Sequence, residues 1–164
     1  SLKALITKEV YKLENYNSEK GIPIIIQLLI HYFRSKPAGL SEEGIFRKSV
    51  SIDEENETLN ELSKRNYEYL EHIQNPHLIA CLIKRFFTNL KEPLIPYPTY
   101  NLLLQDPNKK EHVKQLIKGL PKLNYMTLAF LIEFLKKDVL QHEKTSKMSA
   151  NNLAICFSPS LMRS

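Results

Sequence analysis

Apolar positions in this 164-residue chain recur mostly at three- and four-residue spacing, the period of a helix that buries one stripe. Ile22, Ile25, Ile26, Leu29 and Phe33 follow it, and Ile24, Leu28 and Tyr32 add a second stripe. The segment from Pro23 to Ser35 therefore reads as a helix buried on most sides, with Pro23 in its first turn. Pro37-Ala38-Gly39 breaks it, and residues 41–49 read as a loop or one irregular turn. Residues 53–72 read as one polar helix with Leu59, Leu62 and Leu70 inward. Asn75-Pro76 is a strong start, Asn as the cap and Pro at the first helical position. That helix runs to about Leu90 on a stripe of Ile79, Leu82, Ile83, Phe86 and Leu90, with Cys81, Lys84, Arg85 and Thr88 on the other side. Leu94 to Pro98 is expected to be extended, because each proline biases the residue before it away from helix. A short helix from Asp106-Pro107 to Gly119 follows, then a long one capped by Asn124 with Leu128, Leu131, Ile132, Leu135 and Val139 in register. Ser149 caps a last helix, which Ser158-Pro159 should bend or end. A weak pattern earlier in the chain suggests a short helix near residues 7–13. The expected fold is all-α, a single-domain helical bundle of about seven or eight helices. Residues 1–20 would be an N-terminal extension packing on a domain that spans 21–164.

Composition supports the helical reading: 25 Leu and 15 Ile stand against 4 Val. With 4 glycines in the chain there is no glycine-rich phosphate loop, which argues against Rossmann and P-loop enzymes. Cys81 and Cys156 lie far apart in apolar runs, without zinc-ligand spacing, and read as packed thiols of a reducing, cytoplasmic setting. The longest apolar stretch, Ile22 to Phe33, is shorter than the ~20 residues of a membrane span. The first residue is Ser and no signal-peptide pattern follows, so the chain reads as part of something longer. Net charge is +5 but bipolar: residues 42–71 carry nine acidic and four basic side chains, residues 72–147 twelve basic and six acidic. A basic half could attract nucleic acid. Lys outnumbers Arg 18 to 5, however, and no recognition-helix or aromatic RNA-binding pattern is present, so a nucleic-acid partner is not expected.

The chain contains no HExxH, no GxSxG and no carboxylate pair in an apolar setting. Its five histidines share no ligand spacing. His31 reads as a satisfied core or boundary residue and His77 as structural. One cation stands out. Arg47 follows Gly44-Ile45-Phe46 in a loop between a buried helix and an acidic one. Ile45 and Phe46 should anchor the loop to the core, Gly44 should permit a sharp turn, and Arg47 would then be held at the rim. A rigidly mounted arginine suits recognition of phosphate or carboxylate. From chemistry alone, a solvated loop arginine remains the simpler reading.

Gly44-Ile45-Phe46-Arg47-Lys48-Ser49 resembles the arginine-finger loop of the RhoGAP domain, the GTPase-activating domain that acts on Rho-family GTPases. Three more blocks match in order: Gly21-Ile22-Pro23 with its apolar helix; His77 to Lys84, continuing through Leu90-Lys91-Glu92-Pro93-Leu94-Ile95-Pro96; and Leu120-Pro121 with Asn124 to Leu128, Lys147-Met148 and Asn152 to Leu161. The resemblance covers about residues 20–162. It implies a monomeric, cytoplasmic module that binds a GTP-loaded Rho-family small GTPase and speeds hydrolysis. GTP and Mg²⁺ would belong to the partner, so the chain itself needs no cofactor or metal, and flanking domains would supply any membrane recruitment. Carried over by position, Arg47 is the finger, supported by Gly44, Phe46 and Ser49. Lys84 and Asn152 contact the partner, and Pro93 closes the central helix.

Some positions depart from the family pattern. Thr88 stands where the family usually has an arginine, and a threonine cannot make a charge-assisted bidentate contact. Arg85, one residue after Lys84, could take that role. Val50 replaces a common glycine, Lys91 a common proline, and Ser158 a common glycine. The family also carries further helical sequence after the last block, so the domain is expected to be trimmed at its C-terminus or to have an atypical last helix. The alternative function is a GTPase-binding scaffold with weak or no activation.

Overall fold

Eight α-helices carry the architecture of the computed structural model, which describes residues 22–163. They are α1 (Ile24–Ser35), α2 (Ile52–Ser63), α3 (Pro76–Thr88), α4 (Tyr97–Gln105), α5 (Lys110–Lys118), α6 (Lys122–Phe134), α7 (Glu143–Ser146) and α8 (Ala150–Leu161). The short helix expected near 7–13 lies outside the described residues. The all-α reading and the helix number are borne out.

The centre of the bundle is α3. Asn75 Oδ1 accepts from the His77 N–H and Pro76 occupies the first turn, as the sequence predicts. Eight of its residues are buried, Cys81 among them, so α3 is sunk on more sides than a single stripe requires. α1 and α8 pack on it from two directions and α2 from a third. An aromatic cluster ties the bundle together. Phe33 of α1, Phe134 of α6 and Phe157 of α8 surround Phe46, with ring centroids 5.8, 6.2 and 5.2 Å from it. Aromatic pairs at such separations add to the hydrophobic gain of burial.

Several boundaries differ from expectation, each for a local reason. The polar helix expected over 53–72 is two elements, α2 and a 3₁₀ turn over Tyr67–His72. Between them Arg65 adopts φ 61°, the Arg65 N–H donates to Leu62 O, and the Asn66 N–H donates to Glu61 O. This is a Schellman stop built on arginine where glycine is usual, so no glycine announces it. An L-residue in the left-handed region costs roughly 1–2 kcal/mol. Arg65→Gly should therefore raise the unfolding free energy by up to about 1 kcal/mol, read as a higher urea midpoint. A lower midpoint would contradict this account.

The stretch from Leu94 to Pro98 is not extended throughout, for the chain bends at Leu94 and Ile95. Tyr97 begins α4 and Pro98 sits in its first turn, where a missing N–H leaves no bond unmade. α5 begins at Lys110 and not at Asp106-Pro107. α6 begins at Lys122, so Asn124 is not its cap. Its Nδ2 donates instead to Leu94 O, 2.8 Å away, pinning the proline-rich turn. The long helix breaks into α6 and a π-helical turn over Leu135–Val139, which buries Leu135 and Val139 and leaves Ile132 exposed. Ser149 Oγ caps α8 by accepting from the Asn152 N–H. Pro159 does not end α8, which continues to Leu161.

Candidate functional site

The loop between α1 and α2 is held by its own side chains. Ile45 and Phe46 are fully buried in the core. Gly44 and Phe46 have φ 73° and 70°. Glycine takes that conformation without steric cost, but a bulky residue there is a strained outlier. Burial of the Phe46 ring holds the strain. Two left-handed residues around Ile45 reverse the chain sharply, and the next residue, Arg47, emerges exposed. A Cβ built on Gly44 would lie 2.8 Å from Arg47 Nη2, so the guanidinium rests over the glycine. Among the described residues Arg47 makes no ion pair and no side-chain hydrogen bond. Ser49 is exposed, and Val50 packs partly against the core.

A backbone bond and a thiol bond help fix the loop to its neighbours. The Gly44 N–H donates to Ser146 O at 2.9 Å. The Cys81 thiol donates to Lys48 O at 3.4 Å, joining the far side of the loop to α3. Burial pushes the Cys81 pKa up, with the Val50 backbone and Lys84 opposing, so the group stays a neutral thiol. Lys84 lies half-buried one turn along α3 from Cys81. Asn152 lies in the first turn of α8, and its Nδ2 donates to Lys147 O at 3.3 Å. The loop, α3 and α8 thus meet, bringing the elements that carry Arg47, Lys84 and Asn152 to one region. Ile155, three residues after Asn152 on α8, is the most exposed large apolar side chain described, at 64 %. Sequence reading passed over it, although its place next to Asn152 and opposite the buried Leu153-Phe157 face marks an outward apolar contact.

The remaining named residues have other surroundings. Arg85 turns toward α2: its Nη2 donates to Asn56 Oδ1 at 2.9 Å, and its Nη1 lies 3.9 Å from Glu55. Burial raises the Glu55 pKa, while Arg85 and Lys84 lower it. Thr88 Oγ1 donates to Lys84 O and lies 3.0 Å from Ser160 Oγ on α8. Pro93 is buried in the turn after α3. An apolar groove between α6 and α8, lined by Leu128, Ile132, Leu153 and Phe157, includes none of Arg47, Lys84 and Asn152. Among the described residues no group of three or more His, Cys, Asp or Glu could hold a metal ion, and no helix is long and apolar enough to cross a membrane.

His77 sits under the loop, in the first turn of α3. Its Nδ1 is buried without a hydrogen-bond partner among the described residues. Desolvation pushes its pKa below 6.5; Glu42 opposes this and Lys48 adds to it. The unfolded chain then binds the proton more readily than the folded one. Stability is full above the unfolded value and falls as pH drops through 6.5 toward the lower folded value. His77→Gln should lose less stability than wild type between about pH 7.5 and pH 5.5 in urea titrations. Equal losses would remove His77 from this account.

The molecule is thus an all-α bundle with an exposed arginine mounted on a buried turn. A family model described as the RhoGAP domain matches residues 23–164, and this chain belongs to that family. It is 34 % identical over 152 residues to Rho GTPase-activating protein 35 of Mus musculus, covering 88 % of this chain and 10 % of that protein. It is 32 % identical over 146 residues to GTPase activating protein homolog 3 of Dictyostelium discoideum, covering 87 % of this chain and 10 % of that one. The chain thus spans about a tenth of these curated relatives. Among solved structures it resembles human Rho GTPase activating protein 15, with TM-score 0.75 and 24 % identity over 98 % of this chain and 81 % of that one. At that identity the likeness concerns the fold.

Proposed function

We propose that this domain binds the GTP-loaded form of a Rho-family small GTPase and accelerates hydrolysis by supplying Arg47 in trans. The observation that carries the reading is the mounting of Arg47: an exposed residue, without an ion pair or side-chain hydrogen bond among the described residues, whose two preceding residues are fully buried. Charge builds on the transferring phosphoryl group in the transition state, and a cation preplaced beside it lowers the barrier. Lys84 on α3 and Asn152 on α8 would contact the partner, with Ile155 as an apolar contact on the same helix as Asn152. GTP, Mg²⁺ and the residue that orients water would come from the partner.

A second reading, binding with weak or no activation, draws on Thr88 and Arg85. Thr88 is tied to Lys84 O and Ser160, and Arg85 is engaged by Asn56 and Glu55, so neither offers a free second cation beside Lys84. Single-turnover GTP hydrolysis by a panel of Rho-family GTPases, with and without the domain, separates the two. Acceleration by any member supports activation. Complex formation without acceleration supports the scaffold. Neither outcome with any member would overturn both.

A further inference from the structure

The base of the arginine loop is docked on the turn that leads into α8. Besides the bond from the Gly44 N–H to Ser146 O, Ser41 Oγ lies 2.8 Å from His142 Nδ1, and Glu43 Oε1 lies 3.5 Å from Lys147 Nζ. The turn itself is closed tightly. Ser146 is fully buried, and its Oγ accepts from the Met148 N–H at 3.2 Å. The Lys147 N–H donates to Glu143 O at 2.8 Å. Lys147, although not glycine, has φ 62°.

That left-handed φ has a specific effect. Rotation about the N–Cα bond of Lys147 sets the angle between two successive peptide planes. The carbonyl of the first, Ser146 O, faces the loop and accepts from Gly44. The carbonyl of the second, Lys147 O, faces α8 and accepts from Asn152 Nδ2. One left-handed residue therefore aims one acceptor at the arginine loop and the next at the helix that carries Asn152. The Glu43–Lys147 ion pair adds little, because both side chains are more than half exposed.

Resting on the reading of Arg47 as the trans-acting arginine, we propose that Lys147 is a positioning residue for it. The left-handed conformation of Lys147, and not its charge, sets the register of the loop and so the reach of the guanidinium. Misplacing a reacting group by about 1 Å costs on the order of 10²-fold in rate. Residues that resist the left-handed region should displace the loop in proportion to their resistance.

The test is the series Lys147→Gly, Lys147→Ala and Lys147→Val, assayed with a Rho-family GTPase that the wild-type domain activates. Glycine adopts φ > 0 freely, alanine at some cost, and valine worst of all. The saturating stimulated rate should stay within about threefold of wild type for Lys147→Gly, fall for Lys147→Ala, and fall furthest for Lys147→Val, by about 10- to 100-fold. The half-saturating concentration should change far less than the rate. In an Arg47→Ala background the three should become equivalent, because the guanidinium through which they act is gone. Amide exchange at Gly44, followed by NMR without any GTPase, should accelerate in the same order. If Lys147→Val does not fold, Lys147→Ala against Lys147→Gly carries the comparison. Equal rates across the series, or losses that persist undiminished beside Arg47→Ala, would overturn the assignment. Should Arg47→Ala alone leave the rate intact, the Arg47 reading fails instead, and the Gly44 exchange order still reports on the turn.

Discussion

Arg47→Ala is expected to lower the domain-stimulated rate of GTP hydrolysis by about 10³-fold or more, while the complex with the GTP-loaded partner persists. An arginine supplied in trans is worth roughly 10³–10⁵ in rate, or about 4–7 kcal/mol of barrier. The proposed contacts on α3 and α8 are untouched by the change, and among the described residues Arg47 makes no ion pair whose loss would unsettle the fold. The signature is therefore a fall in the saturating rate with little change in half-saturation, the pattern of an interaction made in the transition state alone. Arg47→Lys should recover little of the lost rate. Lysine keeps the charge but loses the planar, five-donor fork that can span two oxygens. Single-turnover assays at saturating domain concentration decide the matter. A loss confined to half-saturation would make Arg47 a docking residue and not the rate-enhancing one.

Phe46→Ala should destabilise the whole domain by about 3–5 kcal/mol, the usual cost of emptying a buried phenylalanine site. Phe46 is fully buried, and its ring is shared by α1, α6 and α8. No one element can collapse into the gap without leaving another. With a urea slope near 2 kcal/mol per molar, the midpoint should drop by roughly 2 M. Phe46→Leu keeps most of the volume and should lose about a third as much. Activation should fall in both variants at temperatures where they remain folded, because the ring holds the left-handed turn that presents Arg47. A variant with the stability loss but with wild-type stimulation would separate the anchor from the arginine it precedes.

Much of this architecture is legible in the sequence because apolar period and capping chemistry agree. Asn75-Pro76 and Ser149 start helices where their side chains can accept an orphan N–H, and the α3 stripe is buried as its spacing implies. The anchoring of Ile45 and Phe46 was legible for a simpler reason: large apolar residues in a loop have only the core to go to. What could not be read was carried by backbone conformations that leave no compositional mark. Arg65 and Lys147 take left-handed geometry that sequence habit assigns to glycine, so one helix end and one loop latch were invisible. Asn124 has the chemistry of a cap but spends its amide on Leu94 O, a choice set by tertiary contact and not by its neighbours. The surroundings of Arg85 were hidden in the same way, since α2 meets α3 only once the chain has folded.

The mounting of Arg47 has an entropic consequence for encounter. A catalytic arginine on a floppy segment must have that segment ordered each time a complex forms, at a cost that weakens association. Here the main chain before the guanidinium is immobilised when the protein folds, since Ile45 and Phe46 are part of the core. Only the torsions of one side chain remain to be frozen on arrival, at about 0.5–1.5 kcal/mol. Under the proposed function, this lowers the ordering cost that each encounter with a GTPase would carry.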